Sequence, residues 1–435
     1  MEHSITGQSD VEGGAFGASL PFDRWTRRLL FTRLSRLQEG RLRWIEGDRV
    51  TTFGGGTDAA APEDSAAQIE AEVRIEDRRF YDRIVSGGAV GAAEAFMAGY
   101  WTTPDLTAVL RLILVHREVL EGLETGWARL AVPFRRLWQR MRANTRKGSR
   151  RNIVAHYDLG NDFFELFLDR RMMYSCAVFE RPDMTLDEAS EAKLERLCRK
   201  LELGPDDHLL EIGTGWGGFA VYAAQTRGCR VTTTTISPSQ AAHARKVVEE
   251  AGLQDRVTIL ERDYRDLDGT YDKLVSIEMI EAVGLDNLDG YFAQCASLLR
   301  PGGLMAIQGI TVADRFFERY RHSVDFIQRY IFPGSALPSV ASMTSSLVRV
   351  TDLQLVHLED IGPHYADTLR RWHDRFFAKI EMVREQGFSE SFIRMWQYYF
   401  CYCEAGFRER TIGDVQLVMA KPDARPQVLL GALAR

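Results

Sequence analysis

The sequence predicts an α/β fold, a Rossmann-like doubly wound sheet carrying a mostly helical insert, with a small α+β domain ahead of it. Three observations predict it. From about residue 186 apolar strand segments alternate with helical ones, the pattern of a mostly parallel sheet covered by helices. The first of those strands runs into Glu211, Gly213, Gly215, Gly217 and Gly218 and then into a helix, in the run HLLEIGTGWGGF at residues 208–219. A backbone of that kind can take positive φ and approach a ligand with no Cβ in the way. The chain's 435 residues also exceed one ordinary core, so two domains are expected.

Taken in order, residues 1–19 and the tail beyond Pro422 have the composition of disordered ends. Residues 20–37 form a basic amphipathic stretch that combines Arg24, Arg27, Arg28, Arg33 and Arg36 with Trp25, Leu29, Leu30, Phe31 and Leu34. Residues 40–75 alternate as strands, and residues 77–122 turn helical around Phe80, Ile84, Val90, Phe96, Met97, Leu110 and Ile113. Residues 20–141 are therefore read as the small α+β domain, and 142–151 as a basic linker. In the second domain, 152–435, strands are expected at 207–213, 229–235, 257–261, 272–278 and 303–309. A mostly helical insert, 311–412, precedes a last strand at 415–420. The insert is rich in aromatics, including Phe326, Tyr330, Phe332, Trp372, Trp396, Tyr398 and Tyr399. Most belong to core, yet an apolar insert over the ligand edge of the sheet can also line a pocket for a long apolar substrate.

The formal net charge is −6, while residues 133–152 carry eight arginines and lysines and no acid. This basic run, with Trp25 and its arginine neighbours, suits an anionic membrane surface as well as an ordinary solvated face. The acidic balance and the lack of any recognition motif argue against nucleic acid. Six cysteines without a C-x-x-C pair fit a reducing cytoplasm, and no secretory signal or apolar run long enough to span a bilayer is visible. A cytoplasmic protein, peripheral at the inner face of the membrane, is expected; no metal is, and a homodimer is among the assemblies allowed.

The glycine spacing is E-x-G-x-G-x-G rather than the G-x-G-x-x-G of dinucleotide folds, which favours S-adenosylmethionine over NAD. The second strand ends in Thr235 with no acid to grip a ribose, so Thr235 or Gln240 takes that place. Ser237 and Gln240 have capping-box spacing around Pro238. After the third strand, Asp263 and Tyr264 put a carboxylate and a ring where an adenine would lie.

Five motifs in fixed order carry a resemblance: AHYDLGNDFF at 155–164, YSCA at 174–177, DYRDL at 263–267, EMIEAVG at 278–284 and YIFPG at 330–334. Around the glycine loop they resemble the cyclopropane-fatty-acyl-phospholipid synthases and their mycolic-acid relatives, over roughly residues 150–420. Residues 40–120 are similar to the N-terminal domain of the longer, phospholipid-acting members. The resemblance implies a class I S-adenosylmethionine-dependent methyltransferase with a lipid-binding insert. It implies methyl transfer to the cis double bond of an acyl chain, with a bound bicarbonate taking a proton so that a ring closes. Around the cofactor it places Tyr174, Ser175, Gly213, Gly215, Thr235, Gln240, Tyr264 and Arg265, to which Asp263 is added from its position at a strand end. Around bicarbonate it places Cys176, Glu281 and Tyr365. Here the chain departs from the family: an expected histidine after the fifth strand is Gln308, and Ala282 stands where histidine is frequent. A glutamine can hydrogen-bond an anion but cannot titrate. The alternatives are a methylene- or methyl-branched acyl product, N-methylation of a small amine, and a non-catalytic lipid carrier, which the intact glycine loop disfavours.

Overall fold

A computed structural model describes residues 21–56, 65–120 and 159–427. The chain ends, the basic run at 133–152, the linker at 142–151 and the first four residues of the 155–164 motif lie outside the described residues.

The N-terminal unit is a four-stranded sheet in the order β2-β1-β3-β4, from β1 (Gly40–Glu46), β2 (Arg49–Gly56), β3 (Glu70–Ile75) and β4 (Trp101–Thr102). Three helices accompany it, α1 (Pro21–Leu34), α2 (Arg79–Met97) and α3 (Leu106–Val115). Alternation sets the inner face: Leu42 and Trp44 of β1 and Ala71, Val73 and Ile75 of β3 are buried, and the residues between them point outward. On α1, Leu30 and Leu34 are buried and Trp25 is half exposed, while Arg27 pairs with Glu46. Helix α2 breaks at Gly88, where φ is 57°.

The second sheet has seven strands in the order β10-β11-β9-β8-β5-β6-β7. Strands β5 (His208–Ile212), β6 (Arg230–Thr234), β7 (Val257–Leu260), β8 (Tyr271–Ile277) and β9 (Leu299–Val312) pair in parallel. Their apolar runs are buried on both faces, as covered parallel strands must be. Strand β11 (Ile412–Ala420) enters antiparallel beside β9, and β10 (Gln354–Asp360) pairs antiparallel with β11. The segment 311–412 is mostly helical, as expected, and adds one strand, β10; Gln308 lies in β9, within the strand expected at 303–309. Strand β10 reads poorly because it is the sheet edge, with Leu355, Val356 and Leu358 each about two-fifths exposed.

The insert joins the two units. Its helix Glu390–Arg408 packs on α2 and α3, where the Thr107 hydroxyl donates to Glu404 at 3.0 Å and Arg111 pairs with Glu409 at 2.6 Å. The Tyr330 hydroxyl donates to Glu94 at 2.6 Å. One apolar core therefore runs from Trp44 through Phe96 to Tyr398, Trp396 and Trp372.

Candidate active site

The carboxyl ends of β5, β6 and β8 open into one cavity of about 810 Å³. Ligands of open α/β sheets bind at this edge. All nine residues expected at the cofactor, Tyr174, Ser175, Gly213, Gly215, Thr235, Gln240, Asp263, Tyr264 and Arg265, border it.

Gly213 and Gly215 have φ of +103° and +52°, and a Cβ at Gly215 would meet no atom within 4 Å. The loop thus keeps a cradle that any side chain would fill. Ser237 caps the helix Pro238–Glu250 by accepting from the Gln240 N–H, with Pro238 in the first turn, as the spacing predicts. The Thr235 hydroxyl donates to the Gln240 side chain at 3.1 Å, so the pair acts as a unit. Asp263 receives the Arg265 guanidinium at 2.8 and 2.6 Å, which fixes both groups beside the Tyr264 ring. This open backbone with its polar wall fits S-adenosylmethionine.

Deeper in the cavity stand Glu278, Glu281 and Tyr365. Sequence reasoning passed over Glu278. It directly follows β8 and has φ of +49°, a left-handed conformation uncommon for a residue with a side chain. Its Oε1 accepts the Cys176 backbone N–H at 2.7 Å and the Gln308 Nε2 at 2.8 Å, and its Oε2 accepts the Tyr365 hydroxyl at 2.6 Å. Burial raises its pKa above the usual carboxylate range, while these donors and the Lys193 ammonium pull it back.

Gln308 does not border the cavity. Its Nε2 also donates to Asp414 at 3.1 Å, and its Oε1 accepts the Gln416 Nε2 at 3.0 Å. The register explains this: Gln308 faces Gln416, and Gln416 faces Glu359, in one row across β9, β11 and β10. Lys200 closes the row, donating to Gln416 at 2.7 Å and to Glu359 at 2.6 Å. The expectation of Gln308 as an anion ligand in the cavity is therefore corrected; it positions Glu278 from behind.

Cys176 is also set back. Its thiol faces the Ala177 and Ile361 carbonyls, and burial beside Asp414 and Glu278 pushes the thiol well above its ordinary pKa. Only its backbone N–H serves the site. Cys176→Ser is expected to retain turnover within about fivefold of wild type, since no thiolate is present to act. A complete loss in a methyl-transfer assay, with cofactor binding intact, would contradict this.

Glu281 accepts the Ile310 N–H at 2.5 Å through Oε1, while its buried Oε2 has no hydrogen-bond partner. Burial, with Glu278 adding to it, pushes this carboxyl up to about 8. The folded protein then holds a proton that the unfolded chain releases above the ordinary 4.5. This group's contribution to stability is full below that value, is lost as pH rises through about 8, and then stays constant. Glu281→Gln lacks that loss. The melting temperature of the variant relative to wild type is expected to climb across this window, and a difference independent of pH would refute it.

Lys193 is the other residue missed. It is fully buried and donates to Ser175 Oγ at 2.7 Å, and burial lowers its pKa against the pull of Glu278. The signal was present: on the helix Leu186–Lys200 a lysine falls in the buried series of Leu186, Ala189, Ser190, Leu194 and Leu197.

From the carboxylates the cavity continues between Phe332, Leu369, Tyr399 and Phe407 of the insert. It then reaches Trp44, Phe80, Ile84, Val109 and Leu110 of the N-terminal unit. Tyr365 stacks on Phe407 at 4.5 Å, and the Tyr174 ring lies 5.4 Å from Trp372. The walls beside the acids are thus aromatic.

Residues 144–417 match the model of the mycolic acid cyclopropane synthetase family. The chain is 40% identical to the tuberculostearic acid methyltransferase UfaA1 of Mycobacterium tuberculosis, over 84% of each chain. It is 36% identical to the cyclopropane-fatty-acyl-phospholipid synthase of Escherichia coli, over 81% of this chain and 88% of that one. Among solved structures it is similar to the mycolic acid cyclopropane synthase CmaA1 complexed with SAH and CTAB. That match has 32% identity and a TM-score of 0.59, over 62% of this chain and 98% of that one. The chain therefore belongs to the mycolic acid cyclopropane synthetase family and is an S-adenosylmethionine-dependent methyltransferase of the cyclopropane-fatty-acyl-phospholipid synthase type.

Proposed function

We propose that the enzyme methylates the cis double bond of an unsaturated phospholipid acyl chain. The observation that carries this reading is the single cavity that joins the glycine loop and the buried acids to the apolar interior of the N-terminal unit. A long apolar chain lies along the passage with its double bond between Tyr174, Tyr365 and Glu278. Bound at the loop, S-adenosylmethionine supplies an electrophilic methyl on its sulfonium. The chain's own residues do the rest. The glycine loop and the Thr235–Gln240 pair orient the donor, the aromatic walls exclude water, and their π faces tolerate the positive charge left on the alkene. The SAH in the CmaA1 complex supports the donor end of this reading.

Two products compete, a cyclopropane ring and a methylene or methyl branch. We prefer the branch. The likeness to UfaA1, named for tuberculostearic acid, spans more of this chain at higher identity than the likeness to the E. coli cyclopropane synthase. Gln308 and Ala282, which stand where the family resemblance leads one to expect histidine, also leave this product open. A small amine would need no such passage, so N-methylation is the weaker reading. Mass spectrometry of lipids from an expressing host, with fragmentation to separate ring from branch, tests the choice: branched chains support it, and rings alone overturn it.

The basic run at 133–152 and the half-exposed Trp25 support docking on anionic bilayers from the cytoplasmic side. Among the described residues no helix is long and apolar enough to cross a membrane. In vesicle flotation, binding is expected to favour anionic lipid and to weaken with salt; equal binding to zwitterionic vesicles would contradict docking of this kind.

A further inference from the structure

The donors that the family resemblance assigns to bicarbonate are already engaged in this chain. The Cys176 N–H, the Gln308 amide and the Tyr365 hydroxyl converge at 2.7, 2.8 and 2.6 Å on the carboxylate of Glu278. The Ile310 N–H is taken by Glu281, and the remaining Gln308 groups by Asp414 and Gln416. A bicarbonate placed here would find the Cys176, Gln308 and Tyr365 donors occupied and two carboxyl groups facing it, with only the unpartnered Oε2 of Glu281 left to meet it. The residues present do not fit that anion.

We propose that Glu278 is the resident proton acceptor of the reaction and that turnover requires no bicarbonate. The assignment rests on the acyl-methylation reading above. The Glu278 carboxyl group has the planar shape of bicarbonate, accepts three hydrogen bonds, and borders the cavity. Its left-handed backbone and three donors fix the position of the carboxylate. Burial strengthens it as a base relative to an exposed carboxylate. The proton balance closes without another reactant. Once the alkene has received the methyl and carries a cation, Glu278 takes one proton from the product-forming carbon. The released C–H electron pair forms the new ring bond or double bond, the cation is discharged, and the neutral glutamic acid gives its proton to solvent before the next turnover.

The test uses the full-length enzyme, S-adenosylmethionine and vesicles of dioleoyl phosphatidylglycerol, in buffer freed of carbon dioxide and in the same buffer with bicarbonate restored. Wild type is expected to turn over at rates equal within about twofold in both buffers. Glu278→Gly, which suits the positive φ and empties the carboxylate's place, is expected to lose about a thousandfold without bicarbonate. It should recover in part when bicarbonate is added, a rescue that a merely structural role would not produce. Glu278→Gln should lose a similar factor and gain nothing, because its amide fills the place. Cofactor affinity measured by calorimetry reports whether the variants fold, and the wild-type comparison decides by itself if they do not. Wild-type turnover that collapses without bicarbonate overturns the assignment alone. A wild type that methylates no acyl chain in either buffer overturns the acyl reading and this assignment with it.

Discussion

Gly215→Val is expected to weaken S-adenosylmethionine binding on the order of a hundredfold while leaving the fold in place. The position has φ of +52°, which a β-branched residue adopts only under strain, and the added side chain would stand in open space at the edge of the cavity. Both effects act at the cofactor. The sheet beneath is unaffected, because the Gly213 and Thr214 N–H groups still donate to the Thr234 carbonyl. Calorimetry should show the loss, with circular dichroism unchanged. Unaltered affinity would mean that the cofactor does not use this loop.

The second large effect is expected far from the chemistry. Gly87 of α2 borders the cavity next to the break at Gly88, and a Cβ there would meet nothing within 4 Å. Gly87→Trp should therefore fold and obstruct the passage. Turnover on long-chain phospholipid is expected to fall about a hundredfold, as it does when a substrate cannot reach its reactive position, with S-adenosylmethionine affinity unchanged. Normal turnover by this variant would show that the acyl chain enters elsewhere.

Much of this arrangement is legible in the sequence because simple physics dictates it. Strands β5 to β9 announce themselves as apolar runs between helical segments, and Gly213, Gly215, Thr235, Gln240, Asp263 and Tyr264 stand out at the glycine loop and the strand ends, whereas Tyr174, Ser175 and Arg265 come from the family resemblance alone; all nine line one cavity. The misreadings have equally physical causes. Strand β10 is an exposed edge without a clean alternation of burial. Gln308 was read as a cavity ligand because sequence does not reveal that a row of side chains, Glu359, Gln416 and Gln308, lines up across strands distant in the chain. Cys176 invites attention for its thiol, whereas its backbone N–H does the binding. Glu278 sits within the EMIEAVG motif, yet an acid after a strand looks like any strand end until its three donors are seen in place.

Methyl groups from S-adenosylmethionine are expected to reach carbon atoms of an acyl chain. The most direct measurement incubates the purified full-length enzyme with methyl-deuterated S-adenosylmethionine and dioleoyl phosphatidylglycerol vesicles, then fragments the lipids by mass spectrometry. The expected result is label in the acyl chain at the former double bond, with two of the three deuterons kept where the new methyl has given up one. Label found only on a head group or an added amine, with the acyl chains unchanged, would contradict the account.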